Sequence, residues 1–162
     1  ARKELNYVAK VLSEDAKNYH AWTHRQWILR AVDSEDFWKA EMEFSHKLII
    51  QDVRNNSAWN QRWFASHRGL QKPLDDDNAQ KEADYAINGA KLDPYNESPW
   101  RYLIGLVREV PSLASKYETK AAEVRQVLVN ANRDADTCAN LTSARIDLLE
   151  MMGDDESLKQ AI

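Results

Sequence analysis

One pattern occurs three times in this chain. DAKNYHAWTHRQW fills positions 15–27, DVRNNSAWNQRWF positions 52–64 and DPYNESPWRYLIG positions 93–105. Asp, Asn and Trp keep their relative places, and both Asp (15, 52, 93) and Trp (22, 59, 100) recur at separations of 37 and then 41 residues. Self-similarity at that period is the mark of a stack of supersecondary units, each burying an apolar face against the next. The rest of the chain agrees. Four glycines and four prolines are few for 162 residues, and apolar residues recur at three- and four-residue steps, as in Val8, Val11, Leu12, in Phe44, Leu48, Ile49 and in Val124, Val127, Leu128. Strand-like alternation is absent. The expected fold is all-α: a right-handed α-α superhelix, a solenoid of helical hairpins forming a single unit over residues 1–162, with repeats starting near 15, 52 and 93 and a degenerate one near 134, at Asp134 or Asp136.

The pattern has a direct physical reading. Asn18, Asn55 and Asn96 stand where a helix N-cap is wanted, supplying a side-chain oxygen to amides that have no intrahelical acceptor. Glu97 and Pro99 then fall in a first turn, where acid suits the helix dipole and proline loses no hydrogen bond. On this reading the signature opens the first helix of each pair, and the stretch 44–50 is the second helix of the pair before. Trp22, Trp59 and Trp100 are packing knobs between hairpins, each worth about 3–5 kcal/mol if truncated. Arg25 and Arg62, three residues after their Trp, can pair with a repeat Asp or cap carbonyls of a neighbouring helix; Leu103 at the third copy shows that this contact is not needed everywhere.

Composition narrows the chemistry. A formal charge of −4 and a pI near 5.6 argue against nucleic acid as partner, because phosphate-backbone affinity needs clustered Lys and Arg. Cys138 is the only cysteine, so an intrachain disulfide and a four-Cys zinc site are excluded, and it reads as a small buried residue. No apolar run nears the roughly 20 residues of a membrane span. A soluble, cytoplasmic chain is expected. His20 and His24 share a helical face at zinc-ligand spacing, but no third ligand is evident and a metal in this chain is not expected. The acids 75–77 lack EF-hand alternation and read as an exposed loop leading into a helix, after Pro73. Residues 1–11 begin within an amphipathic helix and residues 157–162 stop soon after one should start, so the chain reads as part of a longer solenoid.

Lys17, Asn18, Tyr19, His20, Ala21 and Trp22, followed by His24, Arg25, Gln26 and Trp27, then 54–62 (RNNSAWNQR) and Asn96 with Trp100 in register, resemble the alpha subunit of protein prenyltransferases. The likeness is strongest to the subunit shared by farnesyltransferase and geranylgeranyltransferase type I, weaker to the Rab-type enzyme, and specific over residues 8–104. It implies paired helices wrapped around a beta subunit, and transfer of a farnesyl or geranylgeranyl group from its diphosphate to the cysteine of a CaaX protein. It implies that zinc, with magnesium as a second candidate ion, comes with the beta subunit, where metal lowers the thiol pKa. Tyr19 and His20 match residues beside the diphosphate; Asn18, Trp22, Arg25, Asn55, Trp59, Arg62, Asn96 and Trp100 match structural motif positions. The family's catalytic lysine belongs to a repeat that would precede Ala1, Lys17 is not promoted to that role, and this chain alone is expected to be inactive. The competing reading is a non-catalytic tetratricopeptide-like scaffold that binds a peptide or protein on one face.

Overall fold

In the computed structural model, residues 1–71, 73–133, 135 and 137–153 are described; Asp134, Asp136 and the expected helix start near 154 lie outside them. The chain divides into two compact units, Ala1–Pro73 and Leu74–Ile162. The first holds α1 (Arg2–Glu14), α2 (Tyr19–Val32), α3 (Glu35–Gln51) and α4 (Asn56–Ser66). The second holds α5 (Asp76–Leu92), α6 (Glu97–Glu109), a 3-10 turn (Pro111–Leu113), α7 (Ala114–Asn130) and α8 (Ala139–Met152). Among the described residues there is no strand.

The repeated signature is a complete helix-to-helix bend. Asp15, Asp52 and Asp93 close the preceding helix, their amides donating to the carbonyls of Val11, Leu48 and Gly89. Each aspartate side chain then turns back to accept from the amide two residues on, at Lys17 (3.1 Å), Arg54 (2.9 Å) and Tyr95 (3.3 Å), an Asx-turn that competes with further helix. Asn18 and Asn55 cap the next helix through the amides of Ala21 (3.0 Å) and Ala58 (3.2 Å). Asn96 caps Ser98 instead, at 3.2 Å, because the residue one further on is Pro99, which has no N–H to give. Finally the indole N–H of each Trp donates to the carbonyl six residues earlier, Trp22 to Ala16 (2.9 Å), Trp59 to Val53 (2.8 Å) and Trp100 to Pro94 (2.9 Å). All three Trp are buried, so one side chain both fills the core and fastens the bend.

The phase of the hairpins differs from the expectation. α1 packs most closely on α2, α3 on α4, α5 on α6 and α7 on α8, whereas α2 and α3 lie further apart. The signature therefore sits at the bend inside each hairpin and opens its second helix. Loop length could not decide this, since only Asp33 and Ser34 separate α2 from α3. Side-chain size decides it: Ala79, Ala83, Ala86 and Ala90 let α5 and α6 close together, while Arg25, Trp22 and Phe44 stand between α2 and α3, the two rings 6.2 Å apart.

In the first unit Leu5, Val8, Leu12, Trp22, Ile28, Leu29, Trp38 and Phe64 form the core, with Phe37, Phe44 and Leu48 packed against it. In the second, α5 and α6 bury Ile87, Leu103 and Leu106 against Tyr117, Leu141 and Leu148 of α7 and α8. A fourth bend exists there without the signature's side chains. Cys138 N donates to Ala135 O and Thr142 N to Cys138 O, the bonds that Asn18 makes to Asp15 and Trp22 makes to Asn18 in the first copy. Ala135, Cys138 and Thr142 thus replace Asp, Asn and Trp. Lacking those groups, this bend leans on the third: Cys138 Sγ donates to Pro94 O at 3.2 Å and Asn140 Nδ2 to Tyr95 O at 2.8 Å. Asp75 caps α5 through Asn78 (2.9 Å), with Asp76 and Asp77 in the first turn, where the helix dipole favours them.

Candidate functional site

Helix α2 sorts NYHAWTHRQW into two faces. Trp22, Arg25, Ile28 and Leu29 point into the unit, while Tyr19, His20, Thr23, His24 and Trp27 are exposed. The hydrophobic rings among them are largely in solvent, Tyr19 at 74% and Trp27 at 60% exposure. Asn18 caps only the third amide of the helix. The first two, of Tyr19 and His20, have no intrahelical acceptor by position and face the start of the helix beside Lys17. No carboxylate occupies this first turn, although α3, α5 and α6 all carry acids there. The opening of α2 therefore combines a helix N-terminus, an exposed ammonium, a phenol and an imidazole with no acid within its first turn, the nearest carboxylate along the chain, Asp15, accepting from the Lys17 amide at 3.1 Å. This is a donor set for anionic oxygen.

The exposed rings are mutually ordered. Tyr19 and His20 meet edge to face with centroids 5.8 Å apart. One turn on, His24 stacks on Trp27 at 5.8 Å and 12°, and His24 Nε2 stands 3.5 Å from Glu4 Oε1 on α1. His20 and His24 are thus drawn to different neighbours and do not converge. Among the described residues no group of three or more His, Cys, Asp or Glu side chains is placed to hold a metal ion.

The buried face of α2 carries a polar chain that the sequence did not disclose. Arg25 Nε and Nη2 donate to the two oxygens of Glu41, both at 2.7 Å, and Nη1 donates to Leu5 O at 3.0 Å. Gln61 Nε2 of α4 donates to Glu41 Oε1 at 2.8 Å, and Gln26 Nε2 donates to Gln61 Oε1 at 3.1 Å. The guanidinium also lies over the Phe44 ring, 3.6 Å from its centroid. Four helices are tied through one ion pair, and the rotation of α2 about its axis is fixed with it. Of the two arginine alternatives, carbonyl capping is realised at Leu5, while the carboxylate is Glu41 and no repeat Asp. Arg62 is likewise buried and engaged, whereas Leu103 is an apolar core residue. Asn55 and Asn96 are buried with their caps. Cys138 is buried, and burial pushes its thiol pKa up, the opposite of a nucleophile.

Helical hairpins, three of whose bends are closed by Asp, Asn and Trp, define an all-α repeat protein. The family described as "Protein prenyltransferase alpha subunit repeat" matches residues 1–32 and 38–68, the α1–α2 and α3–α4 hairpins. Relatives include the protein farnesyltransferase/geranylgeranyltransferase type-1 subunit alpha of Dictyostelium discoideum, 33% identical over 125 residues that cover 77% of this chain and 37% of the relative. The Arabidopsis thaliana subunit of the same name is 44% identical over 75 residues, 44% of this chain and 22% of the relative. The geranylgeranyl transferase type-2 subunit alpha of Saccharomyces cerevisiae is 32% identical over 106 residues, 62% of this chain and 32% of the relative. Among solved structures, "Candida albicans protein geranylgeranyltransferase-I complexed with GGPP" shares the fold with TM-score 0.66 and 21% identity, covering 99% of this chain and 59% of that one. The chain belongs to the protein prenyltransferase alpha subunit family. It spans between about a fifth and two fifths of the length of these curated relatives.

Proposed function

We propose that this chain works as part of the alpha subunit of a heterodimeric CaaX protein prenyltransferase of the farnesyltransferase/geranylgeranyltransferase type I kind. It docks the beta subunit and lines the diphosphate side of the site. One observation carries the reading: the opening turn of α2 sets Lys17, Tyr19 and His20 around two uncapped amides, with no acid in that turn. Transfer breaks the bond between the prenyl carbon and its diphosphate as the substrate cysteine's sulfur attacks that carbon, so negative charge grows on the departing oxygens. Donors already oriented toward that charge lower the barrier without reorganising. On this reading zinc would be held by the partner subunit, where it would activate the thiol of the CaaX substrate. The 44% identity over 75 residues with the Arabidopsis type-1 subunit supports the type I reading. The chain's buried ion pair serves by holding α2 in the rotation that turns Tyr19 and His20 outward.

The test is co-expression with a tagged farnesyltransferase beta subunit, with a Rab-type beta subunit in parallel. A stoichiometric complex with the first, and weaker binding of inorganic diphosphate to that complex after His20→Ala, is the expected result. A folded chain recovered without either beta subunit would leave the tetratricopeptide-like scaffold as the better account.

A further inference from the structure

We infer that Glu4 and Tyr7, on the outer face of α1, form a socket for an arginine side chain, and that its occupant is the second helix of a further hairpin of this same repeat. The pattern of such a socket is set by Arg25. From α2 it crosses to the next hairpin, where Glu41 takes it with both oxygens, Gln61 Nε2 donates to Glu41 Oε1, and the Phe44 ring lies 3.6 Å from the guanidinium. Counted from the signature Asp of their own hairpin, Glu41 stands eleven residues before it, Phe44 eight before and Gln61 nine after. The first hairpin carries Glu4, Tyr7 and His24 at those three places, and the third carries Glu82, Tyr85 and Tyr102. Tyr102 Oη donates to Glu82 Oε2 at 2.6 Å, as Gln61 does to Glu41, and His24 Nε2 stands 3.5 Å from Glu4.

Carboxylate, ring and donor recur as a set, and they also disappear as a set. With Ala135 in the place of the signature Asp, the fourth hairpin has Val124, Val127 and Ala144 at the three positions, and the third hairpin has Leu103 where Arg25 and Arg62 stand in the first two. Socket and incoming arginine are lost together, so the set serves the arginine of a neighbouring hairpin and not its own. In the first hairpin the set is present but uncovered. Glu41 is 1% exposed beneath Arg25, whereas the Glu4 side chain is 53% and Tyr7 68% exposed. His24 is the one partner of Glu4 among the described residues. The chemistry of the missing group follows from the two that await it: a planar guanidinium binds both oxygens of a carboxylate and stacks on a ring, which an ammonium does only as a point charge. Its carrier follows from Arg25, which reaches Glu41 from a helix lying beside α3. The occupant of the Glu4 socket reaches it from a helix beside α1 in the same way.

The 37-residue spacing of the first two copies makes the test direct. Residues 1–37 are duplicated in frame ahead of Ala1, which places an added arginine sixteen residues before Glu4, the separation of Arg25 from Glu41. Circular dichroism checks that the added hairpin contributes helix, and urea unfolding is measured for a double-mutant cycle of Glu4→Gln and Arg25→Met in the added copy. A coupling of about tenfold or more in the unfolding equilibrium constant is expected between the two. In the natural chain Glu4→Gln is expected to change that constant less than about twofold, as an exposed pair does. Additive losses in the cycle overturn the socket, and so does an added hairpin that stays unfolded on the natural chain. Self-association of the natural chain that Glu4→Gln abolishes reassigns the socket to a second copy and overturns the proposal as well.

Discussion

Arg25 holds both oxygens of Glu41 at 2.7 Å across sixteen residues of sequence, with the two residues only 5% and 1% exposed. Charges buried this deeply are stable only as a pair. Arg25→Leu strands Glu41 in the core with Gln61 as its remaining donor, and a loss of about 3–5 kcal/mol is expected in urea unfolding. The double variant Arg25→Met, Glu41→Leu should lose less than either single change. An additive double-variant loss would show that the pair is not a closed unit.

The six tryptophans should divide sharply. Trp59→Ala and Trp100→Ala each remove a buried ring together with the bond that fastens its bend, and about 3–5 kcal/mol is expected from each. Trp27→Ala removes a ring that stands in solvent and should change the free chain by less than about 0.5 kcal/mol. Equal losses at Trp27 and Trp59, read from the same denaturation curves, would contradict the two-faced α2.

Replacing a cap isolates one bond. Asn18→Ala and Asn55→Ala should cost about 1 kcal/mol each. Pro99→Ala offers Asn96 the third amide that the other two copies use, so the backbone amide of residue 99, newly present, should be slow to exchange with deuterium in that variant. Rapid exchange would mean that the cap stays on Ser98.

Acid sensitivity of the second unit should trace to Asp84. Burial pulls its carboxyl pKa up, but the hydrogen bonds from Lys120 and Tyr117 and the charges of Lys120 and Lys116 outweigh it, and the folded value lies below the ordinary one. A depressed folded pKa gives stability that is fully present above the unfolded value of about 3.9 and is lost as pH falls through the folded value. Asp84→Asn should therefore be less stable than wild type at pH 6 and converge with it as pH drops below about 4. Parallel stability curves from pH 6 down to 2 would rule this out.

Cys138 should be silent toward thiol reagents in the native chain and react on unfolding, since it is wholly buried, its thiol pKa is raised by burial, and its Sγ is bonded to Pro94 O. Labelling by a disulfide reagent at pH 8, at a rate that does not depend on urea, would place it at the surface.

What could be read from the sequence was what each repeat does for itself. Asp, Asn and Trp act within eight residues of one another, so their roles follow from local geometry, and the caps and buried tryptophans stand where the pattern put them. Partners across helices were not legible. Glu41 lies in EMEF, a stretch that reads as any solvated helix face, and only the matching Arg at positions 25 and 62 hinted that a buried carboxylate was needed. Hairpin phase was hidden because Asp33–Ser34 is as short as a signature bend. The exposed side of α2 was half visible: Tyr19 and His20 came from resemblance, whereas nothing in the sequence told which way Trp27 faces.

The fourth bend has consequences for how such chains assemble and diversify. The backbone turns, caps and indole bonds of the first three bends are each made within eight residues, so each can form early, at low contact order. With Ala135, Cys138 and Thr142 in place of the signature, the fourth makes side-chain bonds to the Pro94 and Tyr95 carbonyls of the third. The two bends are coupled as a pair: a change at Pro94 or Tyr95 is felt at the fourth bend, and the loss of Cys138 or Asn140 is felt at the third.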